Sequence, residues 1–312
     1  MDFKKLDRIV EDFINKYKFH VEVLPMIVDY SRKVLGEQLP DVSNDWSRKI
    51  EINDSINIVY KFLGTIDINL ANQFLNILNS KDLCGNPYVN ILPRKEYPNG
   101  HDEVRDGKVY VYYENTSNDS FCILHEMLHK MNECFIVNEK NEKEETFTRI
   151  FLGETVSILG EMMIGNYMVQ NGFISESDFN IRKNFRLNEA WEDARDVIIE
   201  NELINLKLNG IEITLDSLNS LFNSYDKNLI EYSVLKDERN DLRRINRVLK
   251  NNCLSLYKSS GYVIAQVLCD RFLKSDRLID DFIRLHYSVG DSNSDIGEVF
   301  NDIISENIDI KR

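Results

Sequence analysis

Apolar side chains recur every three or four residues along most of the chain, which is the pattern of amphipathic α-helices. The opening helix is marked by a stripe of apolar positions, namely Leu6, Ile9, Val10, Phe13, Ile14 and Tyr17. Further helices are predicted over residues 46–63 and 67–78. A longer apolar stripe over residues 187–204 predicts a helix that ends near Gly210. The pattern therefore predicts a mainly α-helical protein.

One region departs from the helical pattern. Residues 86–92 and 108–113 are short and β-prone, which is typical of strands. Proline and glycine residues separate them, including Asn99-Gly100 and Asp106-Gly107. These residues favour turns. The sequence therefore predicts a small β-sheet or hairpin with an irregular connection, placed before the next helix.

The helical segments before and after this region divide the 312 residues into three predicted parts. Residues 1–85 form an N-terminal helical part, residues 86–171 a core with the strands and the two following helices, and residues 172–312 a C-terminal helical lobe. A polar stretch over residues 138–145 supplies the reversal between the two core helices. No sharp boundary is visible, so one compact two-lobed unit is expected.

Composition excludes several classes of protein. With 43% hydrophobic and 29% charged residues, intrinsic disorder and fibrous repeats are poor interpretations. The net charge of −14 disfavours nucleic acid as a general partner. No stretch reaches the ~18 apolar residues of a membrane span, and no Sec signal is present. The five cysteines show no C-x-x-C pair, which disfavours a disulfide framework or a thiolate metal site. A cytoplasmic protein that does not act at membranes is expected, with export by a specialised system and the oligomeric state left open.

The chemically informative segment contains His125-Glu126-x-x-His129. On a helix, residues four apart lie on the same face, so both imidazoles can point at one ion. Two neutral nitrogen ligands suit Zn²⁺. Glu126 lies one step around the helix, where it can act as a general base on a water activated by the metal. The structural alternative is a pair of helical histidines whose ring nitrogens are satisfied by local hydrogen bonds.

A third ligand is expected on the next predicted helix, because a catalytic zinc usually has three protein ligands and one open position. Glu154 and Glu161 lie seven residues apart on one face of a strongly apolar segment, with Ser157 between them. Buried carboxylates are costly there unless they are paired or bind metal. Glu154 is the predicted ligand, and Glu161 is predicted to orient a ligand histidine. Two alternatives stay open: Glu154 as a structural carboxylate, and Glu161 as the ligand.

These two segments together resemble a known family. The H-E-x-x-H pattern of residues 125–129, followed by the E-x-x-S-x-x-x-E pattern of residues 154–161, is similar to the gluzincin family of oligoendopeptidases and thimet oligopeptidases. The resemblance implies a zincin-like catalytic core surrounded by N- and C-terminal helices. It also implies one Zn²⁺ per chain, held by His125, His129 and Glu154. Members of the family are much longer, so this chain would be a shortened form.

A weaker match lies near the C-terminus, where a Gly-Tyr pair at residues 261–262 opens an apolar segment. By resemblance, Tyr262 is the candidate phenol that stabilises the oxyanion or binds substrate. Tyr257 stands where the family has a substrate-contacting histidine. Gln266 and Cys269 stand where the family has further tyrosines, so the match is partial.

The function predicted from these features is zinc-dependent endopeptidase activity on oligopeptides or on one specific protein. Glu126 would take a proton from the attacking water and deliver it to the leaving amine. Residues 108–113 are expected to act as an edge strand whose free backbone groups pair with an extended substrate. Tyr110 and Tyr112 on that strand, together with Tyr257, are the candidate substrate-binding residues.

Two other classes remain as alternatives. The first is a catalytically inactive zinc-binding interaction module, in which the metal only holds two helices together. Structural zinc sites usually have four protein ligands, often thiolates, and Cys122, one turn before His125, is the cysteine that could approach. The second is a metal-free helical scaffold, which leaves the clustered histidines unexplained.

Overall fold

The computed structural model describes residues 3–16, 28–33, 48–133, 143–214, 216–217 and 277–290. Its helices are α1 (Phe3–Lys16), α2 (Ile52–Ile66), α3 (Ile68–Asn79), α4 (Asn118–Glu133), α5 (Lys143–Gln170), α6 (Glu176–Leu208) and α7 (Leu278–Gly290). Its strands are β1 (Val89–Pro93), β2 (Glu103–Arg105) and β3 (Lys108–Tyr113). The prediction of a mainly helical protein with a small sheet before the H-E-x-x-H helix is confirmed. Within the described ranges, no helix combines the length and apolar content that crossing a membrane requires.

The chain divides into two compact units. The first comprises Met1–Pro40 with Leu187–Ile264, and the second Asp41–Arg186 with Ala265–Arg312. The three parts predicted from the sequence, with boundaries after residues 85 and 171, divide the chain differently and stay a prediction.

In the first unit, α1 buries Leu6, Val10 and Phe13 of the apolar stripe that predicted it. Ile9 and Ile14 are half-buried, and Tyr17 lies outside the described residues. Asp7 on its polar side accepts hydrogen bonds from Lys207 Nζ at 2.7 Å and from the Ile213 backbone N–H at 3.2 Å. These contacts fix α1 against the end of α6.

The second half of α6 also belongs to the first unit, and it ends as predicted. Gly210 adopts a φ of +70°, and its N–H donates to the Lys207 carbonyl while the Ile211 N–H donates to the Leu206 carbonyl. A residue with positive φ, accompanied by these two backbone hydrogen bonds to the last turn, is a common helix terminus. Glycine adopts this left-handed conformation without steric cost.

The start of α2 differs from the predicted helix over residues 46–63. The chain is extended just before Ile52, where Lys49 forms an isolated bridge with Thr116. The Ile50 N–H also donates to the Asn115 carbonyl at 3.3 Å. The helix therefore begins later because residues far along the chain pair with the backbone here. The next helix begins close to its predicted start, with Asp67 accepting a hydrogen bond from the Asn69 N–H at 2.8 Å.

The sheet corrects one prediction. Its strand order is β1-β3-β2, with β1 parallel and β2 antiparallel to β3. The expectation that residues 108–113 form an edge strand is therefore wrong, because β3 is the central strand. Asp106 and Gly107 take positive φ values of 52° and 69°, which makes the tight turn that folds β2 back onto β3. Beyond β2, Asp102 Oδ1 accepts the Tyr112 N–H at 2.8 Å, so this backbone donor is also occupied.

A glycine of α5 lies at a close contact with α4. A Cβ atom at Gly160 would lie 2.6 Å from Leu128 Cδ1 on α4 and 3.7 Å from Phe282 on α7. A larger residue at position 160 would therefore have to displace the end of the buried Leu128 side chain. The two helices are antiparallel: His125 contacts residues 157 and 161, whereas His129 lies near Glu154. Chain direction and close approach together set the geometry described below.

Helix α7 carries a buried histidine that gives the fold a pH dependence. His286 is 1% exposed, and neither of its ring nitrogens has a hydrogen-bond partner among the described residues. Burial lowers the pKa of His286 from 6.5 to about 4, and the nearby Asp67 carboxylate opposes this shift only partly. Protonation of His286 is easier in the unfolded chain. This group therefore leaves the free energy of unfolding unchanged above pH 6.5 and lowers it as the pH falls towards 4.

We therefore expect the free energy of unfolding to drop by about 3 kcal/mol from this group between pH 7 and pH 4. The variant His286→Phe, which keeps an apolar ring of similar size, should lose that part of the pH dependence. Denaturant unfolding of both proteins at several pH values measures it. His101→Gln, at an exposed histidine, is the control and should keep the wild-type slope. Equal slopes for wild type and His286→Phe would contradict the assignment.

Candidate metal centre

The helix that carries the H-E-x-x-H pattern is fixed at its start and along its buried side. Asp119 in its first turn accepts the backbone N–H groups of Glu114 at 3.1 Å and Thr116 at 3.0 Å, which fixes the link from β3. The predicted apolar stripe is buried at Phe121, Leu124, Leu128 and Met131, while its last member, Phe135, lies outside the described residues. With the apolar side packed, the histidine face of α4 is directed at α5.

Three potential metal ligands converge between these helices. His125 Nε2 lies 3.1 Å from His129 Nε2. Glu154 Oε2 lies 3.5 Å from the first of these nitrogens and 3.4 Å from the second. His125 and Glu154 are buried, and His129 is partly exposed. This His-His-Glu group could hold a metal ion, and it is the one such group of three or more His, Cys, Asp or Glu side chains in the described part of the chain.

The spacing of the three atoms fits a small divalent cation. In a tetrahedral site with bonds of about 2.0–2.1 Å, ligand atoms are about 3.3–3.4 Å apart. The observed triangle is close to that value on each side. Glu154 Oε2 is buried without a hydrogen-bond partner, and its distances to the imidazoles exceed the about 2.7–2.9 Å of a charge-assisted hydrogen bond. A buried acceptor of this kind is costly unless a cation satisfies it.

The electrostatics of the cluster also favour positive charge at its centre. Burial alone would lower the pKa of His125, but the adjacent carboxylates of Glu154 and Glu161 raise it to about 9. Burial alone would raise the pKa of Glu154, but His129 and His125 hold it well below its usual range. Both shifts mean that the cluster stabilises a cation near the Nε2 atoms, whether that cation is a proton or a metal.

Glu126 lies beside the cluster without belonging to it. Its side chain is 8% exposed, and burial raises the pKa of its carboxyl group. His125 and His129 oppose this shift, whereas the negative charge of Glu154 adds to it. A carboxyl group with a raised pKa beside three potential metal ligands is suited to accept and return a proton.

Two polar groups of α5 support His125 from behind. Glu161 is fully buried, and its Oε1 accepts a hydrogen bond from His125 Nδ1 at 2.7 Å. Ser157 Oγ donates to the backbone carbonyl of His125 at 3.3 Å. The structure therefore places Glu161 on the Nδ1 side of the His125 ring and Glu154 on the Nε2 side.

Two arginines in this cluster were missed from the sequence. Arg182 and Arg186, on the first half of α6, are 3% and 8% exposed, and both bind the Glu161 carboxylate. Arg182 also donates to Asn118 Oδ1 at 3.0 Å. They hold the pKa of Glu161 well below its usual range, although burial alone would raise it. The available signal was their spacing of four residues, which puts both on one helix face, together with the need of a buried carboxylate for a counter-charge.

The structure describes two of the remaining candidates, the tyrosines of β3. Tyr110 and Tyr112 occupy the face of β3 opposite the buried Val109 and Val111, with Arg105 over the first ring at 4.9 Å and Arg94 over the second at 5.3 Å. Their role in substrate binding stays a prediction. Tyr257 and Tyr262 lie outside the described residues.

Cys122 does not complete a fourth ligand position. Its sulfur accepts a hydrogen bond from Asn118 Nδ2 at 3.5 Å, and burial raises the pKa of the thiol well above its usual value. The sulfur is also not among the ligand atoms that lie within 4.8 Å of one another in the His-His-Glu group. Within the described residues the candidate centre therefore consists of three ligands.

No family model, no curated protein and no solved structure matches the chain. The resemblance to oligoendopeptidases and thimet oligopeptidases therefore rests on the sequence motifs alone, and membership of that family stays a prediction.

Proposed function

We propose that the protein is a zinc-dependent peptidase built on a zincin-like core, with the metal held by His125, His129 and Glu154. The observation that supports this most strongly is the triangle of two imidazole nitrogens and one carboxylate oxygen, with a buried glutamate beside it that is not part of the triangle. Three ligands are typical of catalytic zinc, whereas structural sites usually have four. This difference favours an enzyme over the inactive interaction module.

Zinc is the metal that fits the donor set best. Two imidazoles and one carboxylate are a common catalytic zinc combination, and the ligand spacing agrees with tetrahedral geometry. Magnesium and calcium prefer sets made of oxygen ligands alone. When bound, zinc lowers the pKa of water and polarises a carbonyl group, which supplies nucleophile activation and stabilisation of negative charge.

The protein groups then move the protons and fix the geometry. Glu126 accepts a proton from the attacking water and later donates it to the leaving amine, for which its raised pKa is favourable. Glu161 and Ser157 hold His125 in place through its ring and its backbone carbonyl. By resemblance, Tyr262 is proposed to donate a hydrogen bond to the oxyanion, and Tyr257 to contact the substrate.

Peptides are the proposed substrates, either short oligopeptides or a segment of one particular protein. The test is to incubate the zinc-loaded protein with a diverse peptide mixture and to read cleavage sites by mass spectrometry, with metal content measured in the same sample. We expect about one zinc per chain, and cleavage that stops with chelator and returns when zinc is restored. Cleavage at many sites indicates an oligopeptidase.

Other outcomes oppose parts of the proposal. Bound zinc without cleavage of any peptide would oppose oligopeptidase activity and would favour a single-protein substrate or the inactive module. A protein that binds no metal would contradict the site itself and would favour the metal-free scaffold.

A further inference from the structure

We propose that Arg186 is a positioning residue that acts through Glu161 to hold His125 in the one ring orientation and tautomer that can bind metal. This inference rests on the metal site in the proposed function. It assigns a role to an arginine that lies far from the motif in sequence and that is not a ligand.

The two oxygens of Glu161 have different partners. Oε1 accepts a hydrogen bond from His125 Nδ1 at 2.7 Å and another from Arg186 Nη2. Oε2 accepts from Arg186 Nε at 2.8 Å, and from Arg182 Nε and Nη2 at 2.9 and 2.8 Å. The planar guanidinium of Arg186 therefore binds both carboxylate oxygens, whereas Arg182 binds only the oxygen that does not contact the histidine.

The contacts fix the tautomer of His125. Glu161 is a carboxylate held between two arginines, so it can only accept hydrogen bonds. His125 Nδ1 must therefore carry its hydrogen and donate it to Oε1. Arg186 Nη2 lies 3.4 Å from the same ring nitrogen, and because both groups are donors, both must point at Oε1. The hydrogen-free nitrogen of the neutral ring is then Nε2, which faces His129 and Glu154.

The fork of Arg186 is what prevents Glu161 from turning. A carboxylate bound through one oxygen can rotate about its last side-chain bond, whereas two parallel N–H···O bonds fix its plane. Glu161 is fully buried, so bulk water does not reach it to compete for these bonds. A lysine at position 186 would keep the charge but would bind as a point charge without the fork. Charge and geometry can therefore be separated by one substitution.

The experiment compares Arg186→Lys with Arg182→Lys by measuring the zinc dissociation constant in competition with a chromophoric chelator. We expect Arg186→Lys to bind zinc about 10- to 100-fold more weakly, which is the range for outer-shell groups. Arg182→Lys is the matched control, because it changes an arginine of similar burial on the same carboxylate but not the oxygen that holds His125. It should stay within about threefold of wild type. Thermal unfolding of the metal-free proteins verifies that each variant is folded.

A second variant tests the route through Glu161. Glu161→Gln should weaken zinc binding by at least as much, and adding Arg186→Lys to it should cause little further loss, because residues that act in series are not additive. Additive losses, equal effects of the two arginine variants, or wild-type affinity in Arg186→Lys would each overturn the proposal. If Arg186→Lys does not fold, wild-type zinc affinity in Glu161→Gln overturns it and a loss of affinity supports it.

The readout separates this inference from the proposed function. No peptide is present in this assay, so a protein that binds zinc but cleaves no peptide opposes oligopeptidase activity while leaving the role of Arg186 testable. A wild-type protein that binds no zinc contradicts both.

Discussion

Replacing Glu126 by Gln is expected to reduce peptide hydrolysis by about 10²- to 10⁴-fold, the usual contribution of a general acid–base group. The amide has nearly the same shape as the carboxylate but cannot take a proton from water. Because Glu126 is not one of the three clustered ligands, zinc content should stay near that of the wild type. The two measurements are cleavage rate on a peptide found in the mixture assay and zinc per chain by elemental analysis.

The matched control is Glu51→Gln, which makes the same substitution at an exposed glutamate before α2 whose side chain makes no capping hydrogen bond. It should keep both activity and zinc. Loss of zinc together with activity in Glu126→Gln would show that Glu126 helps to bind the metal, which would contradict its role as a base. Full activity with zinc retained would place the proton transfer on another group.

The parts of the site that follow from local spacing could be predicted from the sequence. The four-residue separation of His125 and His129 places them on one side of a helix whatever the rest of the fold does. A carboxylate within an apolar segment is a signal of similar quality, because burial demands a counter-charge. On these grounds Glu154 was expected near the histidines and Glu161 behind one of them, and the structure places them there.

The parts that depend on distant pairing could not be predicted. Residues 103–105 carry too few positions to show a strand pattern, yet they occupy the edge of β3 that was expected to be free. The delayed start of α2 comes from a bridge between Lys49 and Thr116, which are far apart in the chain. The four-residue spacing of Arg182 and Arg186 puts both on one helix face, but it does not distinguish buried arginines from the solvated ones of an ordinary helix surface.

The candidate metal centre likewise combines a local motif with residues from distant helices. The H-E-x-x-H segment supplies the two imidazoles and Glu126, but Glu154 and the carboxylate that contacts His125 both come from α5. The charge that holds that group comes from α6. Each added helix restricts the orientation of the side chains in the cluster. The centre is complete only when α4 and α5 have packed against each other in the antiparallel arrangement.

Removing the metal is expected to destabilise the protein, because zinc binds the assembled ligands more tightly than the unfolded chain does. Ligand binding adds about 4 kcal/mol to the free energy of unfolding when free zinc is 1,000 times the dissociation constant. Zinc added to chelator-treated protein should therefore raise the unfolding temperature. The variant Glu154→Gln should lose this effect, with zinc affinity lower by more than about 100-fold, since outer-shell groups already account for up to that much.

The control for this experiment is Glu176→Gln, at an exposed glutamate in the first turn of α6, which should respond to zinc like the wild type. The comparison also decides between Glu154 and Glu161 as the ligand. Glu154 Oε2 faces both Nε2 atoms, whereas Glu161 contacts the opposite ring nitrogen of His125, so the larger loss is expected in Glu154→Gln. If Glu161→Gln instead abolishes zinc stabilisation while Glu154→Gln preserves it, the ligand set proposed above is wrong.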